Sequence, residues 1–295
     1  MTRQIPWLRV FVQGAVIVGP ILPALLATSA AASAQLPVTR GQIWGSNERR
    51  YSSPMRTGLP ESSGGFMFCR LWYNTSRNMP SGLGWSTDYP AADNNFMTRF
   101  EELTPTYIEH WKNGDPGIAA VRATDPDIFR CPFLFMTDPG SVTFSGAEIE
   151  ALRDYLLKGG FLWADDLWGN RAWRYFETEM RRIFPEYSIE EIMPDHKIFS
   201  VLYAVEEIPQ IPSYQSWIRS GGRNGGQTSE FGAETAVPHL RGIFHDDGRL
   251  LVLVSFNTDI ADGWEREGDV PFFFYTFSPP AYGLGINILI WVMSH

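Results

Sequence analysis

The stretch from Ser145 to Trp168 constrains the fold most, because a helix, its end, a buried strand and two carboxylates follow one another in it without interruption. Ser145 and Glu148 have the spacing of a capping box, and apolar residues then recur at helical intervals. Gly159 is expected to end this helix in a left-handed conformation. Residues 161–164 are apolar on both faces, which is typical of a strand in a parallel sheet covered by helices.

Other segments repeat this alternation of strand and helix. Strands are predicted at 66–73, 117–123 and 132–136, and helical periodicity is found at 96–103 and 173–183. Such alternation is typical of βαβ units, in which parallel strands are joined by right-handed crossovers. The sequence therefore predicts an α/β fold with a mostly parallel sheet.

The remainder of the chain is less regular. Residues 189–238 show no sustained period, which predicts an irregular insertion with a loop near 221–232. Residues 240–244 and 250–254 flank an Asp-Asp-Gly turn and predict a β-hairpin. The apolar run at 284–293 predicts a packed helix that is too short to span a membrane.

The first 34 residues predict a secretory signal peptide. Arg3 and Arg9 precede an apolar run at 10–27, and Ala32-Ser33-Ala34 fits a small-residue cleavage site. An uncleaved anchor is the alternative, but two glycines and two prolines interrupt the run. Residues 35–64 predict a surface arm or linker, and 65–295 a single domain. The protein is therefore expected to be periplasmic or secreted, with no membrane span after cleavage.

The net charge bears on the class of partner, and the cysteines bear on disulfide formation and metal binding. The net charge of −9 argues against a nucleic-acid partner, which requires a basic face. Cys69 and Cys131 could form a disulfide in an oxidising compartment, but each lies in or beside an apolar strand, so two buried free thiols are expected. No cysteine or histidine spacing indicates zinc, and neither a metal nor a cofactor is expected.

A candidate site is predicted where parallel strands end. Strands ending near Arg70, Asp138 and Asp165 should present their carboxyl ends at one edge of the sheet, where open α/β sheets bind ligands. The candidate catalytic residues are Asp165, Asp166 and His196, since carboxylates and imidazoles serve as general acids and bases. The expected ligand-binding residues are Arg70, Trp85, Asp88, Tyr89, Asp138, Trp168, Asn257 and Asp259.

Each of these candidates also has a structural interpretation. Asp165 and Asp166 could cap the helix that follows them. His196 could make only a structural hydrogen bond, and Arg70 could pair with one of the two aspartates. The acidic segment 259–267 lacks the spacing of an EF-hand loop and is expected to be solvated.

The abundance of tryptophan suggests carbohydrate binding as one class of function. Most aromatic side chains belong to cores, so the eleven tryptophans are informative only where they stand in polar segments. The aromatic residues in such segments are Trp85, Tyr89, Trp168 and Trp264.

Four ordered motifs carry a resemblance to a known family: CPFLFMTDPG, LRDYLLKGGFLWADDLWG, PDHKIF and GRLLVLVSFNTDIADGWE. They resemble the bacterial family known as domain of unknown function 4159, over most of 66–295. The resemblance implies a class I glutamine amidotransferase-like fold, which is a flavodoxin-like three-layer sandwich. Sugar proteins of the trehalose-utilisation type are similar in fold, and that similarity would place Asp165, Asp166, His196 and Asn257 around one cleft.

True amidotransferases carry a nucleophilic cysteine at a strand-to-helix elbow. Here Asp165 and Asp166 stand at the corresponding position and neither cysteine lies in an elbow, so glutaminase chemistry is not expected. The first functional hypothesis is an exported, non-catalytic module that binds a small molecule, a carbohydrate or a protein. The alternative is a hydrolase or isomerase that acts on a sugar or related small molecule by Asp/His acid–base chemistry. The lack of a nucleophile elbow, P-loop or dinucleotide fingerprint favours the first.

Overall fold

A mostly parallel sheet forms the centre of the protein, as the alternation of strands and helices predicts. The computed structural model describes residues 58–61, 63–75 and 83–295, which belong to one compact unit. The expected signal peptide and most of the expected arm at 35–64 lie outside the described residues.

Seven strands form the main sheet. The strands of the protein are β1 (Phe68–Leu71), β2 (Asn74–Thr75), β3 (Ile118–Val121), β4 (Leu134–Thr137), β5 (Val142–Thr143), β6 (Leu162–Leu167), β7 (Ile189–Glu191), β8 (His239–Phe244) and β9 (Leu250–Phe256). The order across the main sheet is β3-β1-β4-β6-β9-β8-β7, and β2 pairs with β5 separately. Within this order β3, β1, β4, β6 and β9 run parallel to one another. The last two are antiparallel, and β8 with β9 forms the predicted hairpin.

The helices are α1 (Ala91–Leu103), α2 (Gly146–Leu157), α3 (Gly169–Ile183), α4 (Tyr214–Arg219), α5 (Asp262–Glu265) and α6 (Pro271–Ser294). The predicted capping box of α2 is confirmed: the Glu148 N–H donates to Ser145 Oγ at 3.3 Å, and the Glu148 carboxylate accepts from the Ser145 N–H at 2.8 Å. Gly159 follows α2 with a φ of +110°, which favours glycine. Local sequence therefore determines where this helix begins and ends.

Both faces of the sheet are covered by apolar side chains. Successive residues of a strand point to opposite faces, so Phe68 and Cys69 of β1 belong to two different hydrophobic cores. The core around Phe68 contains side chains of α1, α5 and α6. The core around Cys69 contains side chains of α2 and α3. This double burial explains why the central strands are apolar on both faces.

The two cysteines form a disulfide, so the prediction of two free thiols is wrong. Cys69 lies in β1 and Cys131 lies just before β4, which pairs with β1. Each cysteine alone fits the pattern of a small buried hydrophobe. Only the pairing of two strands that are distant in sequence brings the sulfur atoms together.

Two regions contain more regular structure than predicted. Helix α6 begins at Pro271 rather than near 284. The sequence does not predict its first part because Pro279 and Pro280, which are unusual inside a helix, interrupt the helical pattern. The segment 189–238 includes β7 and α4, which are short and only partly buried. No helix in the described ranges is long and apolar enough to cross a membrane.

Candidate functional site

The parallel strands bring polar side chains to one edge of the sheet. Arg70 lies in β1, Asp138 directly follows β4, and Asp165 and Asp166 lie in the last part of β6. Asn257 directly follows β9. With Asp88 and Asp259, these residues form what we call the carboxyl-edge cluster. Their charges act on one another: the charges of Asp138, Asp88 and Asp165 all raise the pKa of Asp166.

The backbone turns sharply at this edge. The four non-glycine residues with positive φ among the described residues are Asp88 (62°), Asp138 (47°), Asp166 (59°) and Asn257 (59°). All four belong to the carboxyl-edge cluster, and Asp and Asn tolerate this conformation best among residues with a Cβ. Left-handed residues of this kind concentrate at functional sites. The β6–β9 register also shifts between Ala164 and Leu167, which is where Asp166 lies.

Arg70 is buried, and its partner differs from the prediction. Its guanidinium forms an ion pair with Asp93 of α1, and neither side chain is exposed to solvent. It also donates to Thr137 Oγ1 at 2.6 Å. The expected pairing with Asp165 or Asp166 is therefore wrong, because Asp93 reaches the guanidinium from the helix that covers β1.

Asp165 is fully buried and incompletely hydrogen-bonded. Its Oδ2 accepts from the Ala261 N–H at 2.8 Å. Its Oδ1 accepts no hydrogen bond within the described part of the chain. Burial raises the pKa of the Asp165 carboxyl to about 6, and the Ala261 hydrogen bond opposes this shift. Asp165 thus carries its hydrogen bond on one oxygen, within a fully buried carboxyl group.

Asp166 accepts a hydrogen bond from Trp168, whose Nε1–H lies 2.8 Å from Oδ1. Trp168 is only 3 % exposed, so it cannot offer its indole face to a ligand in this arrangement. Burial raises the pKa of Asp166 well above its ordinary value, and the charge of Asp138 is the next largest cause of this shift.

Neither Asp165 nor Asp166 caps the following helix, which corrects the structural interpretation of this pair. The N-cap of α3 is Trp168, which makes no side-chain cap. The first backbone N–H groups of α3 donate instead to Asn257 Oδ1, at 3.0 Å, and to Glu234 Oε1, at 2.8 Å. Asn257 therefore links β9 to the start of α3. Glu234 caps α3 from a distant part of the chain, so the sequence near the helix does not predict this contact.

Asp138 and Asp259 also bind backbone N–H groups. Asp138 Oδ2 accepts from Gly84 at 2.9 Å, and Asp259 Oδ1 accepts from Asp262 at 2.9 Å. Asp88 differs, because its Oδ2 is shielded from solvent and has no hydrogen-bond partner among the described residues.

His196 makes its contacts within its own turn and with the last helix, and the prediction that it lines a common cleft stays a prediction. Its Nδ1 accepts from the Ile198 N–H at 3.2 Å, and its ring packs against Trp291 of α6. His239 lies opposite Phe256 at the end of β9, but its Nδ1 contacts Glu191 at 2.6 Å. The structural interpretation of His196 is thus the one that the contacts support.

The acidic segment 259–267 is not the solvated loop that the sequence predicts. Asp259 and Asp262 are each 2 % exposed, and Glu265 and Glu267 each 6 % exposed. The segment includes α5, whose Trp264 is fully buried and packs against Phe96 of α1. The acidic residues of the segment are buried because Trp264, which lies among them, packs in the core.

Half-buried aromatic rings lie beside the cluster. Trp85 packs against Trp72 and Tyr89, with ring centroids 5.3 and 5.6 Å apart. Arg122 stacks on Trp72, with Cζ 4.0 Å from the ring centroid. We call Trp72, Trp85 and Tyr89 the aromatic patch. The sequence does not single out Trp72, because it lies at the end of an apolar strand, a position typical of a core residue.

Replacing Asp166 with asparagine tests the charge of the cluster. The pKa of Asp166 is higher in the folded than in the unfolded protein, so folding takes up protons and the free energy of unfolding falls as pH rises above about 4. Asn tolerates the φ of +59° and still accepts from Trp168. At pH 8 we expect Asp166→Asn to be more stable than wild type by about 1 kcal/mol.

Urea unfolding across pH 4 to 9 provides the measurement for Asp166→Asn. Asp154→Asn, on the exposed face of α2, is the control and should follow the wild type. A variant whose pH dependence equals that of the wild type would show that Asp166 carries no buried charge.

Comparison with known proteins gives one family. The model of the family described as domain of unknown function (DUF4159) matches residues 68–293, which include every residue of the carboxyl-edge cluster. No curated protein matches the chain.

Proposed function

We propose that this protein, which belongs to the DUF4159 family, is an exported binding or assembly module without catalytic activity of its own. The observation that carries the proposal is the composition of the carboxyl-edge cluster. Both cysteines form the disulfide, and His196 is bound to its own turn. A nucleophile with a base in hydrogen-bond reach is thus not found among the residues predicted for the site.

The scaffold that we propose is amidotransferase-like and flavodoxin-like. Counting only the five parallel strands in chain order, β3-β1-β4-β6-β9 reads second, first, third, fourth and fifth. This is the strand order of flavodoxin-like sheets, which bind ligands at their carboxyl edge. The position that follows the apolar part of β6 holds aspartates, so such a scaffold would lack the nucleophilic cysteine.

Export is supported by the disulfide. Disulfides persist in oxidising compartments such as the periplasm or the extracellular space, and they are rare where thiols are kept reduced. The disulfide therefore agrees with the signal sequence expected at residues 1–34.

The ligand that we propose is a carbohydrate held against the aromatic patch. The rings of Trp72, Trp85 and Tyr89 are each partly exposed, and their contacts with one another fix their positions. Aromatic faces provide apolar contact area at little entropic cost, while the neighbouring acids can accept hydrogen bonds from hydroxyl groups. No corresponding function is apparent for Trp168, whose ring is buried.

A glycan screen with a matched pair of variants tests this proposal. Trp72→Ala should lower the affinity for a bound glycan about tenfold or more, because it removes a stacking face. Trp173→Ala is the control, since Trp173 is also half-buried and carries Arg241 at 4.2 Å, as Trp72 carries Arg122. Calorimetry gives the affinities, and chromatography of the recovered glycan should show it unaltered.

Two results would contradict the proposal. Conversion of the glycan by wild-type protein would favour the hydrolase or isomerase alternative. Equal losses of affinity in Trp72→Ala and Trp173→Ala would remove the aromatic patch from the site.

A further inference from the structure

Asp88 of the carboxyl-edge cluster meets two further carboxylates that are distant from it in sequence. One oxygen from each of Asp88, Asp262 and Glu265 lies within 4.8 Å of the other two. Asp88 precedes α1, while Asp262 and Glu265 lie three residues apart in α5 and therefore share a face. Because α5 packs against α1, the three side chains converge.

Two of these three carboxylates are buried, and Asp88 is partly exposed. Asp262 and Glu265 are 2 % and 6 % exposed. Among the described residues, Oδ2 of Asp88 and Oδ1 of Asp262 are shielded from solvent and accept no hydrogen bond, although Arg266 Nε lies 3.5 Å from Asp262 Oδ1. The fully buried Asp165 lies outside this group of three but shows the same feature at Oδ1, and its charge acts on Asp88. A buried carboxylate oxygen that lacks both a donor and a cation is costly.

The neighbouring arginines do not balance this negative charge. Arg70 is committed to Asp93. Arg266 contacts Glu265 with Nε at 2.6 Å and reaches Asp262 at 3.5 Å. Two guanidinium groups, one of them already paired with Asp93, thus face a region to which Asp88, Asp165, Asp259, Asp262 and Glu265 all contribute.

We infer that Asp88, Asp262 and Glu265 form a binding site for a hard divalent cation, with Ca²⁺ the better match. The inference rests on the proposed function, because the cation would form part of the ligand site at the carboxyl edge. Ligands that are all carboxylate oxygens suit Ca²⁺ or Mg²⁺. Mg²⁺ keeps several of its waters and is usually bound by only one or two carboxylates, whereas Ca²⁺ accepts more oxygen ligands in a flexible geometry. Three carboxylates whose oxygens lie within 4.8 Å of one another therefore suit Ca²⁺ better.

Arg266 takes the place of the cation in the present arrangement. A second acceptor is near, because Asp269 Oδ2 lies 3.8 Å from Arg266 Nη1. The guanidinium can therefore turn towards Asp269 when a cation enters. Arg266→Gln removes this competing charge and should bind Ca²⁺ at least tenfold more tightly than the wild type.

Calcium binding to the secreted protein is measured by calorimetry and thermal unfolding after treatment with EDTA and dialysis. At a hundredfold excess over Kd, Ca²⁺ should raise the Tm by about 5 °C or more, and Mg²⁺ should raise it less. Asp88→Asn and Asp262→Asn should each weaken binding at least tenfold, and Asn tolerates the φ of +62° at position 88. Asp154→Asn, an exposed acid of α2, should bind as the wild type does.

The outcomes separate a cation site from a structural cluster of ion pairs. No heat and no change in Tm up to about 10 mM CaCl₂, above the weakest physiological calcium sites, would overturn the inference. Unchanged calcium affinity in folded Asp88→Asn and Asp262→Asn proteins would overturn it too, with folding checked by circular dichroism. If Asp262→Asn does not fold, Arg266→Gln decides: tighter calcium binding supports the site, and lower stability without a calcium response overturns it.

The same glycan screen, run in Ca²⁺ and in EDTA, distinguishes failure of this inference from failure of the proposed function. Equal glycan binding in both buffers by a protein that does not bind Ca²⁺ would overturn the cation site alone. Calcium binding without binding of any glycan would overturn the carbohydrate proposal and leave the cation site standing.

Discussion

Replacing Arg70 with methionine is expected to lower the free energy of unfolding by about 3–5 kcal/mol, because it leaves Asp93 as an uncompensated buried charge. Both side chains are fully buried, so water cannot replace the lost partner. The change also leaves Thr137 Oγ1 and the Thr87 carbonyl without the donors that Arg70 provides, at 2.6 and 3.0 Å. Urea unfolding at neutral pH, followed by tryptophan fluorescence, gives the free energy.

Arg153 offers a matched control for the Arg70 variant. It also pairs with a carboxylate, Glu186, donates to the Ile183 carbonyl and stacks on Phe184, but it is about one-third exposed. Arg153→Met should therefore cost about 1 kcal/mol or less. The double variant Arg70→Met/Asp93→Leu should recover most of the lost stability, since no buried charge remains. Equal costs for Arg70→Met and Arg153→Met would show that the buried ion pair is not the cause.

The regular part of the fold could be predicted because its signals are local. A few neighbouring residues determine each of three features: the capping box at Ser145, the left-handed Gly159 and the strand β6, which is buried on both faces. The boundaries of α6 could not be predicted in this way. Its two prolines normally argue against a helix interior, and packing in the core outweighs them.

The candidate site was predictable as a place but not as a set of contacts. Parallel strands necessarily present their carboxyl ends together, and this placed Arg70, Asp138 and Asp165 at one edge. Partners that come from covering elements carry no such signal. Asp93 lies on α1, and its pairing with Arg70 depends on how that helix crosses β1.

The acidic segment 259–267 shows the same limitation most clearly. Its spacing differs from that of an EF-hand, in which one continuous loop supplies the ligands. Asp88, which completes the group with Asp262 and Glu265, lies far away in sequence. A ligand set assembled from two elements leaves no spacing to recognise, and only the packing of α5 against α1 reveals it.

Removal of the disulfide is the second change for which we expect a large effect. The Cys69→Ala/Cys131→Ala variant should lose about 4 kcal/mol of unfolding free energy, because the bond closes a loop spanning 62 residues and restricts the unfolded chain. Reduction of the wild type should lower its stability by a similar amount, whereas the variant should not respond to reductant. A variant as stable as the oxidised wild type would show that the bond contributes nothing to folding.

Mass spectrometry of the secreted protein links the disulfide to export. Alkylation under denaturing conditions should leave both cysteines unlabelled until reductant is added, and the mature chain should begin at Gln35 if the signal peptide is cleaved after Ala34. Labelling of Cys69 and Cys131 without reductant would contradict the disulfide and remove its support for export. A closed disulfide on a chain that retains Met1 would instead contradict cleavage alone, because an uncleaved anchor also delivers the domain to an oxidising compartment.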